Sequence, residues 1–360
     1  MRYLVVPSKE TESWKDFLIS NEWLERGHSI QIEKENRALP LTSTFPKIIP
    51  PELSEFNIIE KEPLDLNPPN YLGFLEREIG KNTFDELKLF WPQSFDQIGE
   101  NIIVKIEEEV EHFTKEIAQS MLLKNTKATK VFQDLGVRGD FRIRDLKPIG
   151  DTTHLGGETK IKENSMEFFV DPTKGYYSPR LATERLETLE CALILQKKLV
   201  RKLNVCDAYA GFGPALITLL KEQNFVNFIL ANDLNPEITE TLEKNLMKAT
   251  KGNIPFKVEC MDARKLIEIP ENKGLYDLLL VNIPHSTLEH LPSLIGLLNN
   301  NSKSLLRAWS IIDSTEIENL KIKINEVFDS LEYSISKISV AAARSYSPTQ
   351  IYAKIEVWVN

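Results

Sequence analysis

The residues able to do chemistry in this sequence gather around one turn. Asp207-Ala208-Tyr209-Ala210-Gly211-Phe212-Gly213-Pro214 sets an acid and an aromatic ahead of two glycines and a proline. Pro214 suits the first position of a helix, where its missing N–H leaves nothing unpaired. An apolar run leading into a glycine turn and a helix start makes a socket of nucleotide size. Glycine lets a ligand approach the backbone, and the helix end presents free N–H groups. The third glycine position of a dinucleotide fingerprint holds Leu216, so the spacing stops short of a pyrophosphate site. Three more polar positions follow at the ends of apolar runs. Asp233 stands 22 positions after Gly211, where an acid reaches ribose hydroxyls. Asp262, after Cys260-Met261, could accept from an adenine amino group. Asn282-Ile283-Pro284 offers an amide and backbone carbonyls to a planar nitrogenous base. Each acid taken singly could be a helix N-cap. Taken together with the glycine turn they point to a nucleoside ligand. Asp207 suits a cationic ligand such as a sulfonium amino acid and would repel a pyrophosphate, which favours S-adenosylmethionine over a nicotinamide cofactor.

For these groups to meet, the runs before them must be strands that end on one side of a sheet. The sequence predicts this. Strand and helix alternate from Val205–Asp207 with the helix from Pro214, through Phe228–Asp233 with the helix Pro236–Met247, to Phe256–Cys260 and Leu278–Asn282. A helix containing Leu294–Leu298, a strand at Ser304–Trp309 and a pair around Ile335–Val340 and Ile351–Val359 complete a doubly wound, mostly parallel sheet. Ahead of it stand a strand at Glu167–Asp171 and a helix from Leu181 to Leu199.

Two smaller regions precede this one. Residues 1–62 read as a compact α+β unit. It has a strand at Tyr3–Val6, an amphipathic run through Trp14, Phe17, Leu18 and Ile19, and an alternating strand His28–Ile32. A linker at 63–70 ends the proline-rich segment. Residues 71–160 read as a second α+β unit, with a hairpin turning near Gly99-Glu100-Asn101, a helix over Glu108–Leu123, a turn at Gly136–Gly139 and a strand at Phe141–Lys147. Between 124 and 147 stand Lys124, Lys127, Lys130, Arg138, Arg142, Arg144 and Lys147 against three aspartates. This is the clearest basic stretch of the chain, either a solvated face or a set of phosphate contacts for a polyanion. The third region is 161–360.

The 360 residues are 42% hydrophobic and 27% charged, with a net charge of −9. That balance disfavours unspecific nucleic-acid binding but permits a local basic face. No apolar run is long enough to span a bilayer. Cys191, Cys206 and Cys260 are few, odd in number and not at ligand spacing, so neither a disulfide frame nor a metal site is expected, and the context reads as cytoplasmic. Cys206 and Cys260 read as buried strand residues.

The third region resembles a class I S-adenosylmethionine-dependent methyltransferase. The whole chain is similar to the archaeal and eukaryotic tRNA (guanine-37 N1)-methyltransferases. The resemblance is carried by Gly139-Asp140-Phe141-Arg142-Ile143-Arg144-Asp145-Leu146 and by the run from Val170 to Arg185, with Tyr177-Ser178-Pro179-Arg180-Leu181-Ala182-Thr183-Glu184-Arg185 its most specific part. Asp207–Pro214, Ala231–Pro236, Val281–Pro284 and Arg344-Ser345-Tyr346-Ser347-Pro348 add to it. It implies a Rossmann-like catalytic domain preceded by two small α+β domains, the first of which senses the tRNA outer corner in archaeal relatives. It implies S-adenosyl-L-methionine as cofactor, tRNA as partner and a monomeric enzyme. The cofactor set is then Asp207, Tyr209, Gly211, Gly213, Asp233, Asp262, Asn282 and Pro284. The resemblance puts a general base at Glu184, a donor to guanine O6 at Arg144 and the guanine edge on Asn282, with Tyr176, Arg180, Arg185, Arg142 and Lys174 about the substrate. Guanine N1 carries a proton, so attack on a sulfonium methyl needs a base and a stabiliser for charge at O6. Without the resemblance, Glu184-Arg185 reads as a solvated pair at a helix start.

In one departure, the turn before the Phe-x-Val-Asp strand reads Ile161-Lys162-Glu163-Asn164-Ser165, without the histidine that relatives often carry. After Asn-x-Pro, His285–His290 assigns no subgroup. Competing readings are an aminocarboxypropyl transferase of wyosine synthesis, which usually departs from Asn-x-Pro, a methyltransferase acting also on a tricyclic precursor, and a non-catalytic tRNA-binding protein.

Overall fold

The computed structural model describes residues 1–64, 68–138, 143–150, 156–222 and 224–360. The candidate Arg142, with the Gly139–Phe141 part of its motif, lies outside the described residues. The chain divides into two units, Met1–Lys88 and Leu89–Asn360.

In the first unit, β1 (Arg2–Pro7) is followed by α1 (Thr11–Ser20), β2 (Gln31–Glu33), β3 (Asn36–Pro40) and β4 (Asn57–Glu60), in a sheet of order β2-β3-β1-β4. The strand expected at His28–Ile32 forms only as the short β2. Leu4, Val6 and Leu39 on one face of the sheet pack with Leu18, Trp14 and Phe17 of α1. The alternation of β1 and the helical spacing of α1 thus meet in one core. Helices α2 (Tyr71–Ile79) and α3 (Lys81–Glu86) complete the unit, the former capped by Asn70, whose Oδ1 accepts from Gly73 N–H.

The second unit opens with β5 (Phe95–Ile98), β6 (Asn101–Val104), α4 (Thr114–Lys124), β7 (Lys130–Arg138) and β8 (Ile143–Ile149), ordered β5-β6-β7-β8. The pair β6 and β7 is parallel, which α4 makes possible by carrying the chain back. The helix expected over Glu108–Leu123 begins as a 3-10 turn, Glu108–Phe113, before α4. Gly136, expected in a turn, lies inside β7 with φ +110°, where pairing to β8 slips between Asp134 and Val137. It is a bulge, a position where glycine relieves the strain of the extra residue. Next come β9 (Thr159–Glu163), which the sequence did not suggest, and β10 (Met166–Val170). Their two-residue turn, Asn164-Ser165, has φ +50° and +71°, the positive values that a tight hairpin demands.

The large sheet holds β11 (Leu203–Asp207), β12 (Val226–Asn232), β13 (Phe256–Glu259), β14 (Leu278–Val281), β15 (Ser304–Asp313), β16 (Ile335–Ser345) and β17 (Gln350–Val359), in the order β13-β12-β11-β14-β15-β17-β16. The first five in that order are parallel, and β17 runs antiparallel between β15 and β16. Register explains both faces. Val205, Ile229, Leu278 and Leu305 lie in one row and pack on the side of α5 (Ala182–Leu199), α6 (Pro214–Leu219) and α7 (Pro236–Thr250). One residue on, Cys206, Leu230, Leu279 and Leu306 form the next row and pack toward α8 (Thr287–Leu294) and α9 (Ile317–Ser330). A strand buried on both faces must be apolar at both parities, which is why these runs lack alternation. The helix expected at Leu294–Leu298 instead starts at Thr287, and Ile295–Leu297 is a 3-10 turn. Cys206 is buried, but Cys260 is exposed, because edge strand β13 stops at Glu259.

Strand order reverses at β11, whose neighbours are β12 and β14. Crossovers leave this strand in opposite directions, so a crevice opens beyond its carboxyl end.

Candidate active site

A cavity of about 1020 Å3 lies in that crevice. Tyr209, Gly211, Asp233, Asp262, Asn282 and Pro284 of the expected cofactor set line it. Asp207 and Gly213 do not, and geometry shows why. Gly213 has φ +82°, and a Cβ there would come within 2.8 Å of Leu242 Cδ1, so this glycine lets α7 pack against the start of α6. Gly211, at φ +55°, has nothing nearer to such a Cβ than Tyr176 O at 3.8 Å, and it is the one open to a ligand. Asp207 is buried behind the turn, its Oδ1 accepting from Tyr209 N–H at 3.2 Å. Burial pushes its carboxyl up to about 7. The Tyr209 N–H opposes this, the nearby Asp233 adds to it, and Arg185 opposes it.

The other two acids are held by neighbouring donors. Asp233 Oδ2 accepts from Gly211 N–H at 2.9 Å and Oδ1 from Asn235 N–H at 3.0 Å, while burial raises its pKa. With backbone donors from Gly211, Asn235 and Leu234 on it, the carboxylate keeps capacity for a further hydroxyl. Asp262 caps the 3-10 turn Ala263–Glu268. Hydrogen bonding from the Arg264 guanidinium, 2.7 Å at the shortest, holds its carboxyl down to about 2. Asp262 therefore caps the turn and lines the cavity at the same time.

At the far end of the cavity, Arg144 of β8 donates through Nη2 to Asp96 Oδ2 at 2.9 Å and has Asp134 Oδ2 at 4.0 Å. Arg180 Nη2 donates to the other oxygen of Asp96 at 2.7 Å. One carboxylate on β5 thus aligns a guanidinium from the far edge of its own sheet with one from the turn leading into α5. Arg185 is buried. Its Nη1 donates to Glu163 Oε2 at 2.5 Å and its Nη2 to Ser178 O at 3.1 Å, with the Tyr177 ring 5.3 Å from its guanidinium carbon. Tyr177 O–H donates to the same Glu163 oxygen at 2.7 Å, and burial raises the Tyr177 pKa. Glu163 thus anchors Arg185 from the β9–β10 hairpin. Tyr176 is half-exposed on the cavity wall. Lys174 lies off the cavity, its ammonium 3.9 Å from Asp171.

Glu184 sits in the first turn of α5, nine-tenths buried, rather than solvated. Its Oε2 accepts from Trp309 Nε1 at 3.2 Å. Leu181 and Arg185 line the cavity, whereas Glu184, between them in sequence, does not. Asn282 Oδ1 accepts from Tyr352 O–H at 2.8 Å. Asp96, Glu163, Trp309, Tyr352 and His290 escaped the sequence reading. Each acts on a partner far along the chain, and nothing local marks it. His290 Nδ1 lies 2.6 Å from the Tyr209 hydroxyl, and burial, with Arg264 nearby, lowers its pKa. Arg344, which lines the cavity with its guanidinium 5.0 Å from the Tyr352 ring, did stand in a quoted motif. Among the described residues no helix is long and apolar enough to cross a membrane, and no cluster of His, Cys, Asp and Glu could hold a metal ion.

The strand order, the glycine turn at the switch point and the acids at successive strand ends define a class I methyltransferase fold. The family described as the TRM5/TYW2 methyltransferase domain matches residues 159–342, and that of the TYW2 N-terminal domain matches residues 75–152. The chain belongs to the TRM5/TYW2 methyltransferase family. It is 29% identical to the tRNA (guanine(37)-N(1))-methyltransferase Trm5b of Pyrococcus abyssi, over 99% of this chain and 98% of that one. It is 30% identical to Trm5b of Methanocaldococcus jannaschii, over 68% of this chain and 69% of that one. The crystal structure of the Pyrococcus abyssi protein superposes with a TM-score of 0.66 at 27% identity, covering 100% of this chain and 99% of that one.

Proposed function

We propose that this protein methylates N1 of the guanine at position 37 of tRNA, with S-adenosyl-L-methionine as the methyl donor. The observation that carries the reading is one cavity running from Asp233 and Asp262 to Arg144 and Asn282, so that the nucleoside of the donor and a purine acceptor can share it. The donor end fits the cofactor. Gly211 leaves its backbone open, Asp233 keeps lone pairs for ribose hydroxyls, and Asp207 puts a carboxylate behind the turn. The bound cofactor supplies an electrophilic methyl group on sulfur. In this reading Glu184 takes the N1 proton as base, and Arg144 donates to the charge that develops at O6. Tyr352 occupies Asn282 Oδ1 and so leaves its Nδ2 donor for the acceptor base. Asp96 keeps the Arg144 guanidinium in place. Glu184 is not part of the cavity lining, so in this reading the acceptor reaches it only in the bound complex. Catalytic hydrogen bonds commonly tighten only in the complex.

The proposal extends to a monomeric enzyme, and to a cytoplasmic one, in keeping with three free cysteines. It takes the small N-terminal domain as the part that meets the tRNA outer corner. The match of residues 75–152 to the TYW2 N-terminal domain favours aminocarboxypropyl transfer to the same nucleotide as the second reading.

Reaction with unmodified tRNA, followed by mass mapping of nucleosides, separates the readings. 1-Methylguanosine at position 37 is expected. An aminocarboxypropyl adduct selects the second reading, and no product despite cofactor binding selects a non-catalytic tRNA-binding protein. Glu184→Gln is expected to slow single-turnover methylation at least a hundredfold while cofactor affinity holds. An unchanged rate at neutral pH refutes the base assignment.

A further inference from the structure

We propose that Trp309 is a positioning residue for Glu184, its indole N–H fixing one carboxylate oxygen so that the other faces the acceptor. The inference rests on the reading of Glu184 as the base. Trp309 lies on β15, 125 residues from Glu184, and is buried. Its Nε1 donates to Glu184 Oε2 at 3.2 Å. An indole N–H is a donor only and has no second proton to place, so it holds the carboxylate in one sense and cannot compete for the substrate proton.

The ring itself is held on several sides. Leu181 and Tyr352 pack with it in one buried cluster. The Arg307 guanidinium carbon lies 5.6 Å from its centroid, and Arg307 Nη1 is tied to Glu356 Oε2 at 3.0 Å. Thr287 Oγ1 donates to the Trp309 carbonyl at 2.5 Å, locking the strand at that point. Tyr352, packed against the ring, also carries the hydroxyl that orients Asn282. Base and amide are therefore set by two neighbouring aromatic residues on adjacent strands β15 and β17. The charged and titratable groups about the pair include Arg185 of α5, Tyr352 of β17, Tyr176, Arg344 of β16 and Arg307 of β15. The indole N–H supplies a directional contact to the Glu184 carboxylate.

A hydrogen bond from N–H to a carboxylate favours its ionised form. Removing the donor while keeping an aromatic ring, Trp309→Phe, should therefore do two things to single-turnover methylation at saturating cofactor and tRNA. The rate should fall about tenfold or more through lost orientation. The pH profile of the rate should shift as well. Dissociation constants for S-adenosylmethionine and tRNA should stay within about threefold. In a cycle with Glu184→Gln, the double variant should be no slower than Glu184→Gln alone, because the indole acts only through that carboxylate. An unshifted pH profile, or additive losses in the cycle, overturns the proposal. If instead Glu184→Gln itself methylates at the normal rate, the base reading has failed first. A measurement that does not depend on the Phe variant folding is the indole 15N–1H spectrum. One of the five tryptophan signals should move on Glu184→Gln and on binding of tRNA, and five unmoved signals overturn the contact.

Discussion

Asp207→Asn should make the protein more stable at pH 8 than the native sequence, and poorer at holding its cofactor. Asp207 is almost wholly buried, and its carboxyl is raised from 3.8 to about 7, first by burial. The sign follows from proton counting. Below about pH 4 the group is protonated both folded and unfolded. Between about 4 and 7 the unfolded chain loses a proton that the native protein keeps, so stability falls as pH rises. Above about 7 both forms are ionised and the loss is complete. A span of about three pH units at about 1.4 kcal/mol each amounts to about 4 kcal/mol. Asparagine keeps an oxygen for the Tyr209 N–H, 3.2 Å away, and never ionises. Urea unfolding of both proteins should show the variant gaining by about 3 kcal/mol between pH 5 and pH 8, the part of the span that lies in that window. In parallel, affinity for the cationic cofactor should rise with pH up to about 7 in the native protein. In the variant it should be weaker and level. A stability gap that fails to grow between pH 5 and 8 refutes the argument from burial. A variant with undiminished, pH-independent cofactor binding refutes the electrostatic role across the wall.

Three other substitutions probe the remaining parts. Glu163→Gln leaves the Arg185 cation buried without its carboxylate, and should cost about 3–5 kcal/mol in denaturant unfolding; a cost under about 1 kcal/mol means the pair contributes orientation alone. Asp96→Asn frees Arg144 and Arg180 together, so single-turnover methylation should drop about tenfold with cofactor affinity unchanged, an expectation that fails if the rate holds. Gly213→Ala combines a φ of +82° with a Cβ 2.8 Å from Leu242 Cδ1 and should destabilise by at least about 1–2 kcal/mol, read as a lower urea midpoint; equal midpoints would show that α7 yields freely.

Much of the large sheet was legible because each parallel strand, buried on both faces, leaves a short uninterrupted apolar run, and because polar residues collect where such runs stop. The glycine turn, Asp233, Asp262 and Asn282 were found that way, and the structure brings them to one crevice. The same logic misplaced Cys260, since an edge strand can stop one residue early without altering the pattern. Gly136 looked like a turn because bulges and turns ask the same of a residue, namely φ above zero. The hairpin strand β9, lysine-rich on its outer face, gave too weak an alternation to be seen.

By itself, then, the sequence determined the alternation of strand and helix through β11, β12, β13 and β14, the socket at the first strand end, and the acids that follow it, because these depend on local pattern and on spacings of a few residues. Only the tertiary structure decided which of the two glycines lines the cavity, that Asp96 aligns Arg144 with Arg180, that Glu163 takes the charge of Arg185, and that Trp309 and Tyr352 hydrogen-bond Glu184 and Asn282. Those are contacts between residues 22 to 125 positions apart. Sequence spacing carries no signal for them, and they exist only once the sheet has set the strand ends side by side.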